Sequence, residues 1–285
     1  MSDEAAAPVD VATALAWARR QGLDRLDAQL LLGHLLQRGR AWLIAHDDAA
    51  LPPATALAYR SACQRRATGE PLAYIVGERE FHGLLLRVTP DVLVPRPDTE
   101  LLVDWVLELL PGLPVAPARV LDLGTGSGAI ALAVVHRHPA AQVTATDLSP
   151  AALAVARGNA TRLGLAIETR AGHWWQAVAP DRRWDLVLSN PPYIAGGDPH
   201  LPALRHEPLL ALTPGGDGLD ALREIIAGAA GRLSPGGWLL LEHGWDQASA
   251  VAGLLAQAGF AQISKRTDIE ARPRCTGACW RPAGP

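Results

Sequence analysis

The spacing of apolar residues changes along this chain, and the changes divide it into three parts. Up to about residue 70, apolar positions recur at helical intervals in "PVDVATALAWARRQG", "RLDAQLLLGHLLQRG" and "PPATALAYRSACQRRATG". Glycines at Gly22, Gly39 and Gly69 end these runs, and Pro53 suits a first helical turn. With the shorter "RAWLIAHDD" between them, residues 1–70 predict a small helical bundle. Residues 71–96 differ: "YIVGEREFHGLLLRV" has two short strand-like runs around Gly83, which predicts a β-hairpin connecting two domains. "VPRPDTELLVDWVLELL" then restarts a helix, with Asp98 and Glu100 in its first turn, where carboxylates suit the helix dipole.

Residues 97–285 form the third part, in which strands and helices alternate from 118 onward. "ARVLDLG", "QVTATD", "AIETR", "WDLVLSN" and "GGWLLLEHG" read as strands. "AIALAVVHRH", "PAALAVARGNATRLG", "LDALREIIAGAAGRL" and "DQASAVAGLLAQAG" read as helices. Alternation of this kind predicts an α/β fold with a doubly wound, mainly parallel sheet. "AQISKRTD" and "CTGACWR" follow with no helix between them, which predicts an antiparallel hairpin at one edge of the sheet.

Composition narrows the possibilities. Of 285 residues, 49% are hydrophobic and 19% charged, a globular and not a disordered balance. The net charge of −3, with no run of like charges, lacks the footprint of tight, unspecific nucleic-acid binding, so no direct nucleic-acid partner is expected. A local basic patch stays open. Three cysteines, Cys63, Cys275 and Cys279, are too few and odd in number for a disulfide framework and suit a reducing compartment. Cys275 and Cys279 have no second ligand pair, and His34, His46 and the other histidines have no partner at metal spacing, so no metal is expected. The acidic start of the chain lacks the layout of an export signal. No apolar run approaches the ~20 residues that span a bilayer. A cytoplasmic monomer without membrane attachment is expected.

Two segments carry candidate chemistry. "VLDLGTGSGAIALA" places Gly124, Gly126 and Gly128 between a strand and a helix, where the backbone can approach a ligand and present helix N-terminal amides. The loop also satisfies G-x-G-x-x-A through Ala129, which leaves a nicotinamide dinucleotide formally open. Asp147, about 20 residues beyond the glycines at the end of the next strand, stands where a ribose-binding carboxylate belongs. Ser149 is the better cap for the following helix, which frees Asp147 for a ligand. Asp122, inside the first strand, is a further candidate cofactor contact: it would favour a cationic group and repel a pyrophosphate. A glycine loop with this internal acid, and the antiparallel edge, resemble the class I S-adenosylmethionine methyltransferases.

The second segment is Asn190-Pro191-Pro192-Tyr193, at the end of the "DLVLS" strand. In methyltransferases an [N/D]-P-P-Y motif at this place resembles those of enzymes that methylate planar nitrogens. The Asn side-chain oxygen and a proline-region carbonyl can accept both N–H bonds of such a group. Proline contributes no competing donor, and Tyr193 can pack on the plane. A delocalised nitrogen turns acidic once alkylated, so positioning matters more than a strong base.

The tetrapeptide does not separate a glutamine amide from the exocyclic amine of a DNA or RNA base. "GEPLAYIVGEREFHGL", "PRPDTE", "LDLGTGSGAIAL", "SNPPYI", "RHEPLLAL" and "LLLEHG" together resemble the release-factor glutamine methyltransferases over most of the chain. That resemblance implies methyl transfer from S-adenosylmethionine, leaving S-adenosylhomocysteine, to the glutamine amide in the GGQ loop of bacterial peptide chain release factors. The N-terminal helical domain would help to bind the factor. It also implies that Gly124, Thr125, Gly126, Ser127, Gly128, Asp147, Trp174 and Asn190 are cofactor positions, and that Asn190 to Tyr193 form the amide site. "GHWWQAV" departs from the family in having His173 in place of an acid, and the alignment there leaves Trp174 or Trp175 as the aromatic contact. Arg96, Asp98, Glu100, Glu207 and Glu242 are open between bordering the site and fixing loops. A base-amine methyltransferase, a nicotinamide-dependent oxidoreductase and a silent adaptor are the rival readings.

Overall fold

A computed structural model describes residues 9–282, so the first eight residues of the acidic start lie outside it. The chain divides into two compact units between Gly77 and Glu78. The first unit consists of helices α1 (Val11–Arg20), α2 (Arg25–Leu36), α3 (Arg40–Ala45), α4 (Pro53–Ala67) and α5 (Leu72–Val76). Asp10 caps α1: its carboxylate accepts the Thr13 amide at 2.8 Å while its own amide donates to the Thr13 hydroxyl at 3.2 Å. Val11, Ala14, Trp17, Leu31, Leu32 and Tyr59 are among the residues that fill the core between the helices. The buried Tyr59 hydroxyl donates to the Ala28 carbonyl at 3.1 Å, which joins α4 to α2.

Residues 71–76 differ from the expectation of a strand-like connector. Tyr74, Ile75 and Val76 have strand propensity, but Pro71 precedes α5 and Gly77 ends it in the left-handed conformation, with Leu72, Ile75 and Val76 packed on the helical core. Tertiary burial overrides local propensity here. The hairpin itself, β1 (Glu78–Phe81) and β2 (Leu84–Arg87), belongs to the second unit, where Phe81, Leu84 and Leu86 join that unit's core.

That unit continues through α6 (Glu100–Leu109), β3 (Arg119–Leu123), α7 (Ala129–Arg137), β4 (Gln142–Asp147), α8 (Pro150–Leu163), β5 (Glu168–Ala171) and β6 (Trp184–Ser189). It ends with α9 (Leu209–Leu212), α10 (Asp220–Ala229), β7 (Leu233–Glu242), α11 (Ala248–Gln257), β8 (Ala261–Thr267) and β9 (Pro273–Cys279). Among the described residues the main sheet runs β5-β4-β3-β6-β7-β9-β8. Its first five strands are parallel, and β9 pairs antiparallel with both β7 and β8, which gives the expected edge hairpin. Strand alternation supplies both faces. Val120, Leu186 and Leu188 pack with α6 and α7 on one side, while Leu121, Leu123 and Val187 pack with α10 and α11 on the other.

Chain order reverses between β3 and β6, and the crevice at their C-terminal ends is where open α/β sheets hold ligands. Ser189 locks those ends together, its hydroxyl donating to the Leu123 carbonyl at 2.7 Å. The opposite ends are locked by Asp185. Its carboxylate accepts from the Arg119 amide at 2.8 Å, from the Arg119 guanidinium at 3.1 Å and from the Ser234 hydroxyl at 2.7 Å, so one side chain joins β3, β6 and β7. Burial pushes its pKa up, but the bonds from Arg119 and Ser234 outweigh that and hold it below the ordinary carboxylate value.

Asp185→Ala is therefore expected to destabilise the fold by about 2–3 kcal/mol at neutral pH. That is below the usual cost of breaking a fully buried pair, because Arg119 is partly exposed. The Asp185 contribution is complete above the unfolded-state pKa near 3.8 and is lost as pH falls through the depressed native value. Thermal unfolding of wild type and variant should therefore show a gap at pH 7 that closes below about pH 4.

Candidate active site

The crevice opens into a cavity of about 710 Å³, built from the loops that follow β3, β4 and β6 and the segment before α6. Leaving β3, the chain reverses through Gly124, Gly126 and Gly128, all at positive φ (74°, 54° and 83°). Gly124, Thr125, Gly126 and Ser127 line the cavity. Gly128 does not line it and is the N-cap of α7: a Cβ there would lie 3.0 Å from Leu132 and 3.2 Å from Ala156, so its role is close helix packing. The Gly124 and Thr125 amides donate to the Thr146 carbonyl at 2.9 and 2.8 Å, which ties the loop to β4.

Asp122 does not reach the cavity. Strand alternation turns it under the loop, where it is fully buried and accepts from the Thr125 hydroxyl at 2.6 Å, with its Oδ1 unpartnered. Burial pushes its pKa up to about 7, the Thr125 bond opposes the shift, and the Asp147 charge adds to it. The expectation that Asp122 contacts a cofactor directly is therefore corrected: it supports the loop from below.

Asp147 lines the cavity, but its carboxylate is also tethered. Oδ2 accepts from the Gly126 amide and Oδ1 from the Ser149 amide, each at 2.9 Å. Burial raises its pKa against these bonds. Ser149 caps α8 as expected, accepting from the Ala152 amide at 3.2 Å. Each Asp147 oxygen keeps a lone pair for a ligand hydroxyl.

Of the two tryptophans, Trp174 faces the cavity, at φ 40° and packed over Gly124, where a Cβ would lie 3.2 Å from its ring. Trp175 is core, its indole nitrogen donating to the Ile225 carbonyl at 3.0 Å. His173 also lines the cavity and meets Glu224 of α10 at 3.1 Å. The carboxylate absent from position 173 is thus present next to it, on an element remote in sequence.

Asn190 and Pro192 line the cavity beyond β6, whereas Pro191 is buried and neither it nor Tyr193 lines it. Asn190 Nδ2 donates to the Thr99 hydroxyl at 3.1 Å. Tyr193 packs against the core, its hydroxyl donates to Glu242 at 3.2 Å, and its carbonyl accepts from Gln247 at 3.0 Å. Burial raises the pKa of its hydroxyl.

Around "PRPDTE", Arg96 and Thr99 line the cavity. Asp98 pairs with Arg274 at 3.1 Å, and Glu100 accepts the His82 amide at 2.9 Å. Glu207 pairs with Arg96 at 2.5 Å and accepts the Val94 amide at 3.1 Å, which is a loop-fixing role. Glu224 lies outside every motif, and Thr99, though inside "PRPDTE", is not marked there as a site residue. Only contact with Asn190 and His173 distinguishes them.

The charges of the lining are mostly negative. Asp91, Asp147, Asp220 and Glu224 face Arg96, whose guanidinium is already held by Glu207. This lining suits a ligand carrying positive charge and is poorly suited to a pyrophosphate. Among the described residues no group of His, Cys, Asp and Glu is placed to hold a metal, and no helix is long and apolar enough to cross a membrane.

Comparison with known proteins agrees with this geometry. The family model of the PrmC N-terminal domain matches residues 13–77, and that of the methyltransferase small domain matches residues 103–216. The release factor glutamine methyltransferase of Bordetella pertussis is 54% identical over 90% of this chain and 95% of its own length. That of Xylella fastidiosa is 48% identical over 93% of this chain and 97% of its own length. A crystal structure of a methyltransferase from Pyrococcus furiosus, 18% identical, superposes with a TM-score of 0.52 over 70% of this chain and 90% of that one, which shows the shared fold. With two catalogued relatives matched nearly end to end at about half identity, the chain belongs to the release factor glutamine methyltransferase family.

Proposed function

We propose that the chain binds S-adenosylmethionine in the acidic cavity and methylates the side-chain amide nitrogen of the glutamine in the GGQ loop of bacterial release factors, leaving S-adenosylhomocysteine. It would act as a cytoplasmic monomer, with its helical unit helping to bind the factor. The observation that carries this reading is the juxtaposition of Asn190 and Pro192 with the glycine loop in a cavity lined by carboxylates.

The residues present fit the cofactor. Asp147 retains acceptor capacity for a ribose diol, Trp174 offers an aromatic face beside Gly124, and the acidic lining favours a cation. No Cβ-sized obstacle lies within 4 Å over Gly126, so the loop backbone can be approached closely. When bound, the cofactor supplies an electrophilic methyl group on a positively charged sulfur. The remaining work falls to the protein. Asn190 Oδ1 and a carbonyl of the proline pair accept the two N–H bonds of the glutamine amide and hold its nitrogen toward the cavity. Pro191 and Pro192 fix the backbone direction and offer no donor. The clamp's acceptors stabilise the positive charge that develops on the nitrogen during transfer.

Asn190→Ala is expected to lower methyl transfer to a release factor by about 100-fold or more, while calorimetry should show cofactor affinity weakened less than about fivefold. Full activity in that variant would remove the clamp from the mechanism. Label from the methyl-labelled cofactor appearing on RNA or DNA and not on the factor would favour the base-amine reading. Asp147→Ala should act at the other step, raising the Kd for S-adenosylmethionine roughly 10- to 100-fold through loss of bonds to a charged acceptor. An unchanged Kd would assign Asp147 to loop support alone.

A further inference from the structure

Thr99 and Glu242 lie behind the clamp and have no place in the chemistry derived so far. Thr99 is 4% exposed and Glu242, at the end of β7, is 1% exposed. Two contacts connect them to the tetrapeptide. Asn190 Nδ2 donates to Thr99 Oγ1 at 3.1 Å, and the Tyr193 hydroxyl donates to Glu242 Oε1 at 3.2 Å. The Thr99 hydroxyl also lies beside the Glu242 carboxyl and favours its charged form. Glu242 Oε2 is buried with no hydrogen-bond partner, so the carboxylate keeps acceptor capacity in the interior.

Resting on the function proposed above, we infer that Thr99 and Glu242 are positioning residues that fix which end of the Asn190 amide faces the acceptor. An asparagine side chain is nearly symmetric in shape, and only its hydrogen-bond partners decide whether oxygen or nitrogen points a given way. The clamp needs Oδ1 toward the cavity, because the glutamine amide nitrogen presents donors. A threonine hydroxyl has one proton and two lone pairs. With Glu242 ionised, and therefore acceptor-only, the Thr99 proton goes to Glu242 and a lone pair is left for Asn190 Nδ2. Tyr193 likewise gives its single proton to the same carboxylate. Both hydroxyl protons then point inward to Glu242, Asn190 Nδ2 points to Thr99, and Asn190 Oδ1 is left over for the substrate.

Protonation of Glu242 reverses this order. The carboxylic acid can donate to Thr99, the Thr99 proton then seeks Asn190 Oδ1, and the amide turns its NH₂ toward an acceptor nitrogen that has no lone pair to spare. The groups facing Glu242 are Thr99 and Asp98 before α6, Tyr193 after β6, and Arg274 and Cys275 on β9. Burial, aided by the Asp98 charge and opposed by Thr99, Tyr193 and Arg274, pushes the Glu242 pKa up to about 7. The working form of the clamp is therefore present above that pH and lost below it.

The test is a comparison of Thr99→Val, Thr99→Ser and Glu242→Gln with wild type, measuring kcat and KM for a release factor and the Kd for S-adenosylmethionine from pH 6 to 9. Thr99→Val should lower kcat about 10- to 100-fold with the cofactor Kd within about threefold, and Thr99→Ser should restore most of the rate. Glu242→Gln should lower kcat and flatten the fall in wild-type kcat below pH 7. Wild-type kcat in Thr99→Val, no recovery in Thr99→Ser, or an unchanged acid limb in Glu242→Gln would overturn the relay while leaving the proposed function intact. A wild-type enzyme that places no methyl group on the factor would instead overturn the function, and the relay with it. Should Thr99→Val fail to fold, the serine variant and the Glu242→Gln pH profile decide the matter.

Discussion

The Asp147 carboxylate holds together the segments on which the cavity depends. One oxygen takes the amide of Gly126, in the loop after β3, and the other takes the amide of Ser149, at the start of α8. Two loops from neighbouring parallel strands are thereby fixed to each other at the end of the sheet where the order reverses. The Gly124 and Thr125 amides reinforce this by donating to the Thr146 carbonyl, one residue earlier on β4. The side chain proposed to meet a ribose thus also shapes the loop beside it. On that proposal, binding and pre-organisation would fall on one group, which the backbone bonds keep partly satisfied.

Around this tether the protein keeps buried acids at the C-terminal ends of its strands. Asp122 of β3 and Glu242 of β7 are both removed from solvent, and burial raises both to about 7. An isolated buried carboxylate is costly, and each of these has only one or two short-range donors to offset the cost. The two differ in what they support. Asp122 holds Thr125 and so the glycine loop, while Glu242 holds Tyr193 and faces Thr99 and so the clamp. The opposite end of the sheet, where Asp185 is saturated by Arg119 and Ser234, shows the ordinary structural solution, a carboxylate with a depressed pKa. Both perturbed carboxyls lie at the end of the sheet where the cavity opens.

Much of this was legible in residue patterns, for reasons that also mark where legibility ended. The strand-turn-helix around Gly124 to Gly128, the Asp147 position and the tetrapeptide are local, so the residue pattern placed each at a strand end, and a motif resemblance singled out the tetrapeptide. The edge hairpin followed from two strand runs with no helix between. Tyr74-Ile75-Val76 read as strand because propensity cannot register that Pro71, Gly77 and a helical core convert it to a turn of helix. Asp122 read as a ligand because motif position does not say which face of β3 it occupies, and the pleat turned it inward. Trp174 and Trp175 are adjacent and chemically identical. The positive φ of Trp174 and the bond from Trp175 to Ile225 separate them, and neither is a sequence property. Glu224, which supplies the carboxylate beside His173, lies about fifty residues away on another helix.

An amide nitrogen is a weak nucleophile whose reactivity depends on how its plane and its two N–H bonds are held, so the proposed clamp would need firm buttressing. Asn190 follows a strand buried along its whole length, and the preceding Ser189 is fastened to β3. Pro191 is buried, Pro192 borders the cavity, and the Tyr193 carbonyl and hydroxyl are held by Gln247 and Glu242. Gly218 completes the arrangement: a Cβ there would come within 2.3 Å of the Tyr193 carbonyl oxygen, so the loop before α10 closes on the tetrapeptide only because that residue is glycine. On the proposed reading, each constraint removes a motion that would let the acceptor plane tilt away from the methyl donor. Where no strong base can drive the reaction, freezing the acceptor geometry in advance is the lever left to the protein, and the fold applies it from β6, β7, α11 and the segment before α6 together.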